Sequence, residues 1–191
     1  MTTDPHAPSS ATFSVLTVCT GNICRSPAVE RLLAAGLGST VTVTSAGTRA
    51  MVGHPVSPPM VPLLTAAGVS SEGFVARQLT EQLVREADLV LPLTRAHRAA
   101  VVDLAPAAVR RTFTLLELAR LAAAVDPADL PAGPPAARLR ALLPLAAARR
   151  GHVPPGDDDV VDPYGRGDAL YAESFGLIEP AVRAIVAVAR G

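Results

Sequence analysis

The feature that constrains the fold of this chain most strongly is a short apolar run that ends at a cysteine. A loop and the start of a helix follow it. Residues 13–18 are apolar or β-branched apart from Ser14, and they predict a buried strand that ends at Cys19. Segment 20–26 contains the Gly and Asn typical of a loop, and apolar residues at helical spacing follow it. We expect Ser26 to cap this helix and Pro27 to take its first position, where a missing N–H costs nothing. This order aims the N-terminus of the helix at the end of the strand.

The rest of the chain continues the alternation of strands and helices. Apolar or β-branched runs predict further strands at 41–45, 89–93 and 112–115. Helical periodicity predicts helices over 61–67, 80–87, 96–104 and 168–190. Strands that alternate with helices predict an α/β fold of three layers, with a four-stranded parallel sheet and helices on both faces.

The chain of 191 residues is long enough to bury one substantial core. Residues 1–12 are polar and contain Pro and Ser, which predicts a flexible N-terminal tail and not a signal peptide or anchor. We interpret 13–191 as a single domain. Within it, Pro and Gly clusters flank the segment 136–150, for which we predict one or two short helices, so we interpret the region around 126–155 as an insertion.

Charge and composition exclude several classes of function. The 17 basic and 17 acidic residues balance, and no basic block predicts a nucleic-acid or membrane surface. All the basic residues are Arg, which excludes Schiff-base chemistry and the nucleotide-binding P-loop lysine. The two Cys have no stapling pattern, so we expect a reduced, cytoplasmic protein. The four His lack ligand spacing, and we expect them at the surface, with no metal and no cofactor.

The loop between the first strand and the first helix has the spacing of an anion site. Five residues separate Cys19 from Arg25, and a short loop curled around an anion can aim its backbone N–H groups inward. The positive end of the helix, together with a cation, stabilises both a bound phosphate and a thiolate. The planar guanidinium of Arg25 matches two phosphate oxygens at once. We therefore predict that Cys19 is a nucleophile beside a phosphate site.

Residues 18–26, Val-Cys-Thr-Gly-Asn-Ile-Cys-Arg-Ser, resemble the phosphate loop of the low-molecular-weight protein tyrosine phosphatases. The segments 45–48, 77–79 and 88–90 resemble the core of the same family. The resemblance implies that Asn22 braces the loop and that the Ser26 hydroxyl hydrogen-bonds the Cys19 thiolate. It also implies a phosphate-binding set: Thr20, Gly21, Asn22, Ile23, Cys24 and Arg25.

The motif Asp-Pro-Tyr-Gly at 162–165 resembles the general-acid loop of that family. The resemblance implies a two-step, metal-free reaction in which Cys19 attacks phosphorus and protonated Asp162 donates to the leaving oxygen. Water then attacks the cysteinyl-phosphate, with Asp162 as the base. Asp159 is the next candidate for the acid.

The family implies a phosphotyrosine-containing protein or a small aryl phosphate as the substrate, but this chain departs from the family around the pocket mouth. Arg49 follows 45–48, where an aromatic residue is expected, and Gly165 stands where a second Tyr is common. Tyr164 remains as one pocket wall and Met51 can supply a softer contact.

Two other functions remain open, as does the role of the second cysteine. An arsenate reductase that borrows an external low-molecular-weight thiol would need only Cys19. A non-catalytic phosphate-binding module is the other rival. Cys24 either packs or guards Cys19 by capturing its sulfenic acid as a disulfide. The sequence leaves the oligomeric state open.

Overall fold

Three parallel strands form the sheet. The computed structural model describes residues 12–191, so the predicted tail falls outside the described residues except for residue 12. The strands are β1 (Phe13–Cys19), β2 (Val41–Gly47) and β3 (Leu89–Pro92), in the spatial order β2-β1-β3. In the register, Cys19 lies opposite Gly47, and Val18 lies opposite both Ala46 and Pro92. The carboxyl ends of all three strands therefore meet at the edge where Cys19 lies.

Helices cover both faces of this sheet, which confirms the predicted α/β class. Seven α-helices lie within residues 12–191: α1 (Arg25–Leu37), α2 (Val61–Ala66), α3 (Glu81–Glu86), α4 (Arg95–Leu104), α5 (Leu115–Ala123), α6 (Pro135–Arg149) and α7 (Asp168–Arg190). The buried apolar residues form two cores. The larger core includes residues of α1, α2, α5, α6 and α7. The smaller core includes residues of α3, α4 and the 3₁₀ helix Pro106–Arg111. Among the described helices, none is long and apolar enough to cross a membrane.

The central strand β1 serves both cores through its alternating side chains. Phe13, Val15 and Cys19 belong to the larger core, whereas Leu16 and Val18 belong to the smaller one. Successive side chains of a strand point to opposite faces, and a strand covered on both faces is apolar along its whole length. This is why residues 13–18 form an almost continuous apolar run.

The predicted fourth strand at 112–115 is wrong. This segment meets β3 only through an isolated bridge, where the Phe113 N–H donates to the Val90 carbonyl at 3.1 Å. Helix α5 begins immediately afterwards, because Thr114 Oγ1 accepts from the Glu117 N–H while Glu117 Oε2 accepts from the Thr114 N–H, both at 3.2 Å. This reciprocal capping box starts a helix where the strand would have continued.

The predicted start of the first helix is also wrong, by two residues. Helix α1 begins at Arg25 and not at Pro27, and Cys24 holds the cap position. Ser26 does not cap the helix, since its hydroxyl contacts Cys19 Sγ at 3.0 Å.

Helix α6 lies in the region that we interpreted as an insertion. It is one helix with Pro144 inside it, and Leu139 and Leu142 are buried in the larger core. Arg138 Nε donates to the Val188 carbonyl of α7 at 3.0 Å. The single domain at 13–191 and the insertion around 126–155 stay predictions.

Two helical glycines form a matched pair that tests how closely α1 packs on α7. A Cβ added at Gly36 in α1 would lie 2.6 Å from Val186 Cγ2 of α7. One added at Gly176 would have no described atom within 4 Å other than its chain neighbours and its own helix backbone. Alanine stabilises a helix interior by about 0.5–1 kcal/mol relative to glycine. We expect Gly176→Ala to raise the free energy of unfolding by about that amount. Gly36→Ala should lower it by about 1–3 kcal/mol, because the stiff Val186 side chain cannot turn aside.

Urea denaturation of the two variants and the wild type measures both effects. An equal gain for Gly36→Ala and Gly176→Ala would contradict the close contact between α1 and α7.

Candidate active site

Cys19 ends β1 at the bottom of a pocket of about 140 Å³. Its side chain is buried, and Sγ lies 3.0 Å from Ser26 Oγ in the first turn of α1. The loop from Cys19 to Arg25 forms the floor of the pocket at the carboxyl edge of the sheet. We call these seven residues the phosphate loop.

Asn22 braces the phosphate loop from behind. Its backbone is left-handed (φ 55°), a conformation that Asn tolerates better than most residues. Its Nδ2 group donates to Ser26 Oγ at 2.9 Å and to Ser45 Oγ at 2.8 Å, and its Oδ1 accepts from the Arg77 N–H at 2.9 Å. Ser26 Oγ accepts a hydrogen bond from Asn22, and its own hydroxyl proton can be donated to Cys19 Sγ.

A partly buried carboxylate, that of Glu30, continues this network. Ser45 Oγ donates to Glu30 Oε2 at 2.5 Å, and Arg77 Nε donates to the Ser45 carbonyl at 2.8 Å. Burial raises the pKa of Glu30, and the hydrogen bond from Ser45 partly opposes that rise. The loop is therefore held by polar groups from α1, from β2 and from the chain before α3.

Arg25 connects the phosphate loop to the segment that carries the predicted acid. Arg25 Nη1 donates to the Val160 carbonyl at 3.1 Å, and Nη2 lies 2.6 Å from Asp162 Oδ2. The Arg25 side chain is 4% exposed and that of Asp162 is 49% exposed. One buried cation therefore faces a carboxylate that is open to solvent and lines the pocket.

Two further carboxylates hold the Asp162 segment in place. Arg120 Nη2 lies 2.9 Å from Asp158 Oδ1, and the Arg95 N–H donates to Asp159 Oδ1 at 2.7 Å. Asp159 is therefore engaged at the start of α4, and it does not line the pocket. Asp159, the second candidate for the acid, thus lies outside the lining that Cys19 and Asp162 share.

The pocket brings together most of the residues that the sequence singled out. Its lining includes Cys19, Thr20, Gly21, Ile23, Cys24, Arg25, Met51, Asp162 and Tyr164. Asn22 and Ser26 lie behind it with no exposed surface, as befits supporting residues. The roles that we assign to these side chains stay predictions, but the fold places them in one site.

The pocket mouth is formed by the loop that follows β2 and by Tyr164. The Arg49 N–H donates to the Thr20 carbonyl at 3.0 Å, and the Met51 N–H donates to the Gly21 carbonyl at 2.9 Å. These bonds fix the backbone of the wall against the phosphate loop. The exposed Arg49 lines the mouth at the position where we expected an aromatic residue.

His97 contacts the phosphate loop and was missed by sequence reasoning. The prediction that it lies at the surface is wrong, because it is only 7% exposed. His97 Nε2 lies 2.9 Å from Thr20 Oγ1, and Nδ1 lies 2.8 Å from Thr94 Oγ1. Burial, with the positive charge of Arg25, lowers the pKa of His97 to about 4. The predicted parallel sheet offered one indication that His97 could contact this loop, since α4 begins at the same edge as the phosphate loop.

Cys24 lines the pocket and contacts a buried tyrosine. Its Sγ lies 3.5 Å from Tyr171 Oη, which in turn lies 2.8 Å from Ser57 Oγ. Burial raises the pKa of the Cys24 thiol. Both cysteines are free thiols in the structure, and the redox guard stays a prediction.

Comparison of the sequence with known proteins identifies relatives. The sequence profile described as "Low molecular weight phosphotyrosine protein phosphatase" matches residues 14–131. The chain is 44% identical over 92 residues to the low molecular weight protein-tyrosine-phosphatase Wzb of Salmonella typhi, covering 48% of this chain and 61% of that protein. It is 45% identical over 93 residues to Etp of Escherichia coli K12, with 49% and 62% covered. The chain thus spans about three fifths of the length of these curated relatives.

Comparison of the structure finds similar folds over longer spans. The tyrosine phosphatase AmsI of Erwinia amylovora has a TM-score of 0.69 at 26% identity, covering 95% of this chain and 96% of that one. The YwlE arginine phosphatase of Geobacillus stearothermophilus also has a TM-score of 0.69, at 25% identity, with 92% and 91% covered. The likeness in fold therefore extends beyond residue 131, where the profile match ends.

The buried, neutral His97 predicts a pH-dependent stability. Its pKa is about 4 in the folded chain against an ordinary 6.5, so the unfolded chain binds more protons between these values. The free energy of unfolding should therefore fall as the pH decreases through this window, by roughly 3 kcal/mol in full. We expect His97→Gln to remove this dependence, as measured by urea denaturation between about pH 4.5 and 7.

His152→Gln is the control, because the His152 side chain is exposed. If the wild type and His97→Gln lose stability equally as the pH falls, His97 is not held neutral in the folded chain.

Proposed function

The chain belongs to the low molecular weight phosphotyrosine protein phosphatase family, and on that premise we propose that it hydrolyses phosphomonoesters, phosphotyrosine among them, through a cysteinyl-phosphate. One observation carries the proposal. The Cys19 thiol, held by Ser26 at 3.0 Å, shares a 140 Å³ pocket with Arg25 and Asp162, whose side chains lie 2.6 Å apart. A nucleophile, an anion-binding cation and an acid thus meet in one small space.

Binding of the phosphoryl group changes the partner of Arg25. The guanidinium, which pairs with Asp162 in the structure, can hold two phosphoryl oxygens instead. This exchange releases the Asp162 carboxyl group from Arg25, so that it can face the leaving oxygen. The first step requires that carboxyl group in its protonated form.

In the first step, the Cys19 thiolate forms a bond to phosphorus while the bond from phosphorus to the leaving oxygen breaks. Asp162 gives its proton to that oxygen, and the leaving group departs as an alcohol or a phenol. Arg25 and the N–H groups of the phosphate loop stabilise the charge on the transferred phosphoryl oxygens. The Ser26 hydroxyl, which donates to Sγ, stabilises the thiolate before the attack.

In the second step, water forms a bond to phosphorus while the bond between sulfur and phosphorus breaks. Asp162, now ionised, takes the proton from the water, and Cys19 returns to its thiolate form. Orthophosphate then leaves Arg25, which can pair again with Asp162. The protons balance over the two steps, and these residues need no metal to carry them out.

We propose an aryl phosphate, either phosphotyrosine in a protein or a small aryl phosphate, as the substrate. Ile23, Met51 and Tyr164 line the pocket, and these apolar and aromatic side chains suit a phenyl ring better than a guanidinium group. The curated relatives are named as tyrosine phosphatases, whereas YwlE is named as an arginine phosphatase. Assays with phosphotyrosine and with phosphoarginine at equal concentrations decide between these two substrates.

We propose that the protein acts in the cytoplasm, without a nucleic-acid or membrane partner. Two features support this: both cysteines are free thiols, and the net charge is zero with no basic block.

Sedimentation of the full chain would determine the oligomeric state.

Arsenate reduction by Cys19 with an external thiol is the rival activity. Parallel assays with an aryl phosphate and with arsenate plus a low-molecular-weight thiol separate the two. We expect turnover of the aryl phosphate only. Reduction of arsenate without phosphate release would overturn the proposed function, and activity in neither assay would favour a phosphate-binding module.

Replacing Cys19 by Ser tests the nucleophile. We expect Cys19→Ser to lower turnover of an aryl phosphate by more than about 1,000-fold. Vanadate should still bind, because Arg25 and the backbone of the phosphate loop remain. Turnover at a tenth of the wild-type rate or better would contradict the role of Cys19.

Replacing Asp162 by Asn tests the acid through the leaving group. A basic leaving oxygen needs the proton, so we expect Asp162→Asn to slow phosphotyrosine hydrolysis by about 100-fold and nitrophenyl phosphate hydrolysis only a few-fold. Asp157→Asn is the matched control, because Asp157 lies in the same segment with its side chain 86% exposed. Equal losses for both substrates would place the acid elsewhere.

A further inference from the structure

A buried histidine outside the proposed reaction connects α4 to the phosphate loop. His97 Nε2 lies 2.9 Å from Thr20 Oγ1, and Thr20 directly follows the nucleophile Cys19. The opposite ring nitrogen, Nδ1, lies 2.8 Å from Thr94 Oγ1. Both ring nitrogens therefore have a partner, and the imidazole joins the start of α4 to the residue that follows the nucleophile in the phosphate loop.

We assign these hydrogen bonds with Thr94 as the donor to the ring. Thr94 Oγ1 already accepts the His97 backbone N–H at 3.1 Å as the cap of α4, so its own proton is free for Nδ1. A neutral ring then carries its one N–H on Nε2 and donates it to Thr20 Oγ1. The charged groups that act on the ring are Arg25, Asp162 and Asp159, and burial with Arg25 keeps it neutral.

Thr20 is held from both sides of the pocket. Its carbonyl accepts from the Arg49 N–H at 3.0 Å, and the Cys19 carbonyl beside it accepts from the Thr48 N–H at 2.9 Å. These bonds anchor the loop to the chain after β2. On the other side, its hydroxyl contacts His97.

We propose that His97 is a positioning residue that acts through the Thr20 hydroxyl to fix the first turn of the phosphate loop, and with it the Cys19 thiol. The inference rests on the proposed function, because it concerns the nucleophile of that reaction. Small displacements of a nucleophile from its line of attack reduce the rate strongly, and a hydrogen bond from a buried ring limits such displacement. His97 itself touches no reacting atom.

A double-mutant cycle of Thr20→Val and His97→Leu tests whether the two side chains act as one unit. We expect each single variant to lower kcat/KM for an aryl phosphate by about five-fold, and the double variant by about five-fold as well. Two independent structural losses would multiply to about 25-fold. That outcome would overturn the proposal.

The two ring nitrogens are distinguished by conservative variants. In His97→Gln the side-chain amide can replace Nε2, whereas in His97→Asn the shorter amide can replace only Nδ1. We therefore expect His97→Gln to retain most of kcat/KM and His97→Asn to lose as much as His97→Leu. Equal activity of the two amide variants would contradict a role of Nε2. The control for the loss of a histidine is His152→Gln, because His152 is exposed. Where His97→Leu does not fold, the cycle is run with His97→Asn.

Binding of orthophosphate and vanadate to the same variants keeps this inference separate from the proposed function. If the wild type hydrolyses no phosphomonoester, the proposed function fails, and the coupling is then measured on the orthophosphate dissociation constant. Coupling of Thr20 and His97 in binding would support the positioning role in that case also. Additive effects on both hydrolysis and binding would overturn the inference while leaving the proposed function intact.

Discussion

The buried side-chain amide of Asn22 holds the phosphate loop closed, and the geometry of the pocket depends on it. Both of its functional groups are satisfied, by Ser26, Ser45 and the Arg77 N–H. An aliphatic side chain here would leave these partners unpaired in a region without exposed surface, and a left-handed backbone would add strain. The same amide and the Cys19 thiol both contact the Ser26 hydroxyl, so the brace of the loop is linked to Cys19.

The parallel sheet delivers the remaining parts of the site to this loop. The chain leaves β2 at Gly47, where an added Cβ would lie only 2.5 Å from the Thr20 carbonyl, so the close approach needs glycine. After β3, the Leu93 carbonyl accepts from the Val160 N–H at 2.9 Å, which positions the segment of Asp162 beside Arg25. All three strands end at one edge, and each therefore contributes a different part of the pocket.

Short-range patterns predicted the fold well where local and tertiary preferences agree. The apolar run of β1 and the helical spacing of α7 lie where periodicity placed them. The strand prediction for 112–115 is wrong because β-branched and aromatic residues occur both in strands and in the segment that precedes a capped helix. The capping box of Thr114 and Glu117 was visible in the sequence and outweighs the strand preference of the four residues.

The sequence by itself determined the spacing and the reactive groups of the phosphate loop. Five residues between Cys19 and Arg25 restrict how that loop can curl, and the residue types supply a thiol at one end and a cation at the other. Only the tertiary structure decided which distant groups meet the loop. Asp162 pairs with Arg25, and His97 contacts Thr20 although the two are 77 residues apart in the chain. The reason is physical: spacing along the chain limits local backbone geometry, whereas burial and long-range contact exist only once the sheet and its helices have packed. That burial turns His97, an ordinary surface histidine by sequence, into a neutral group against the active-site loop.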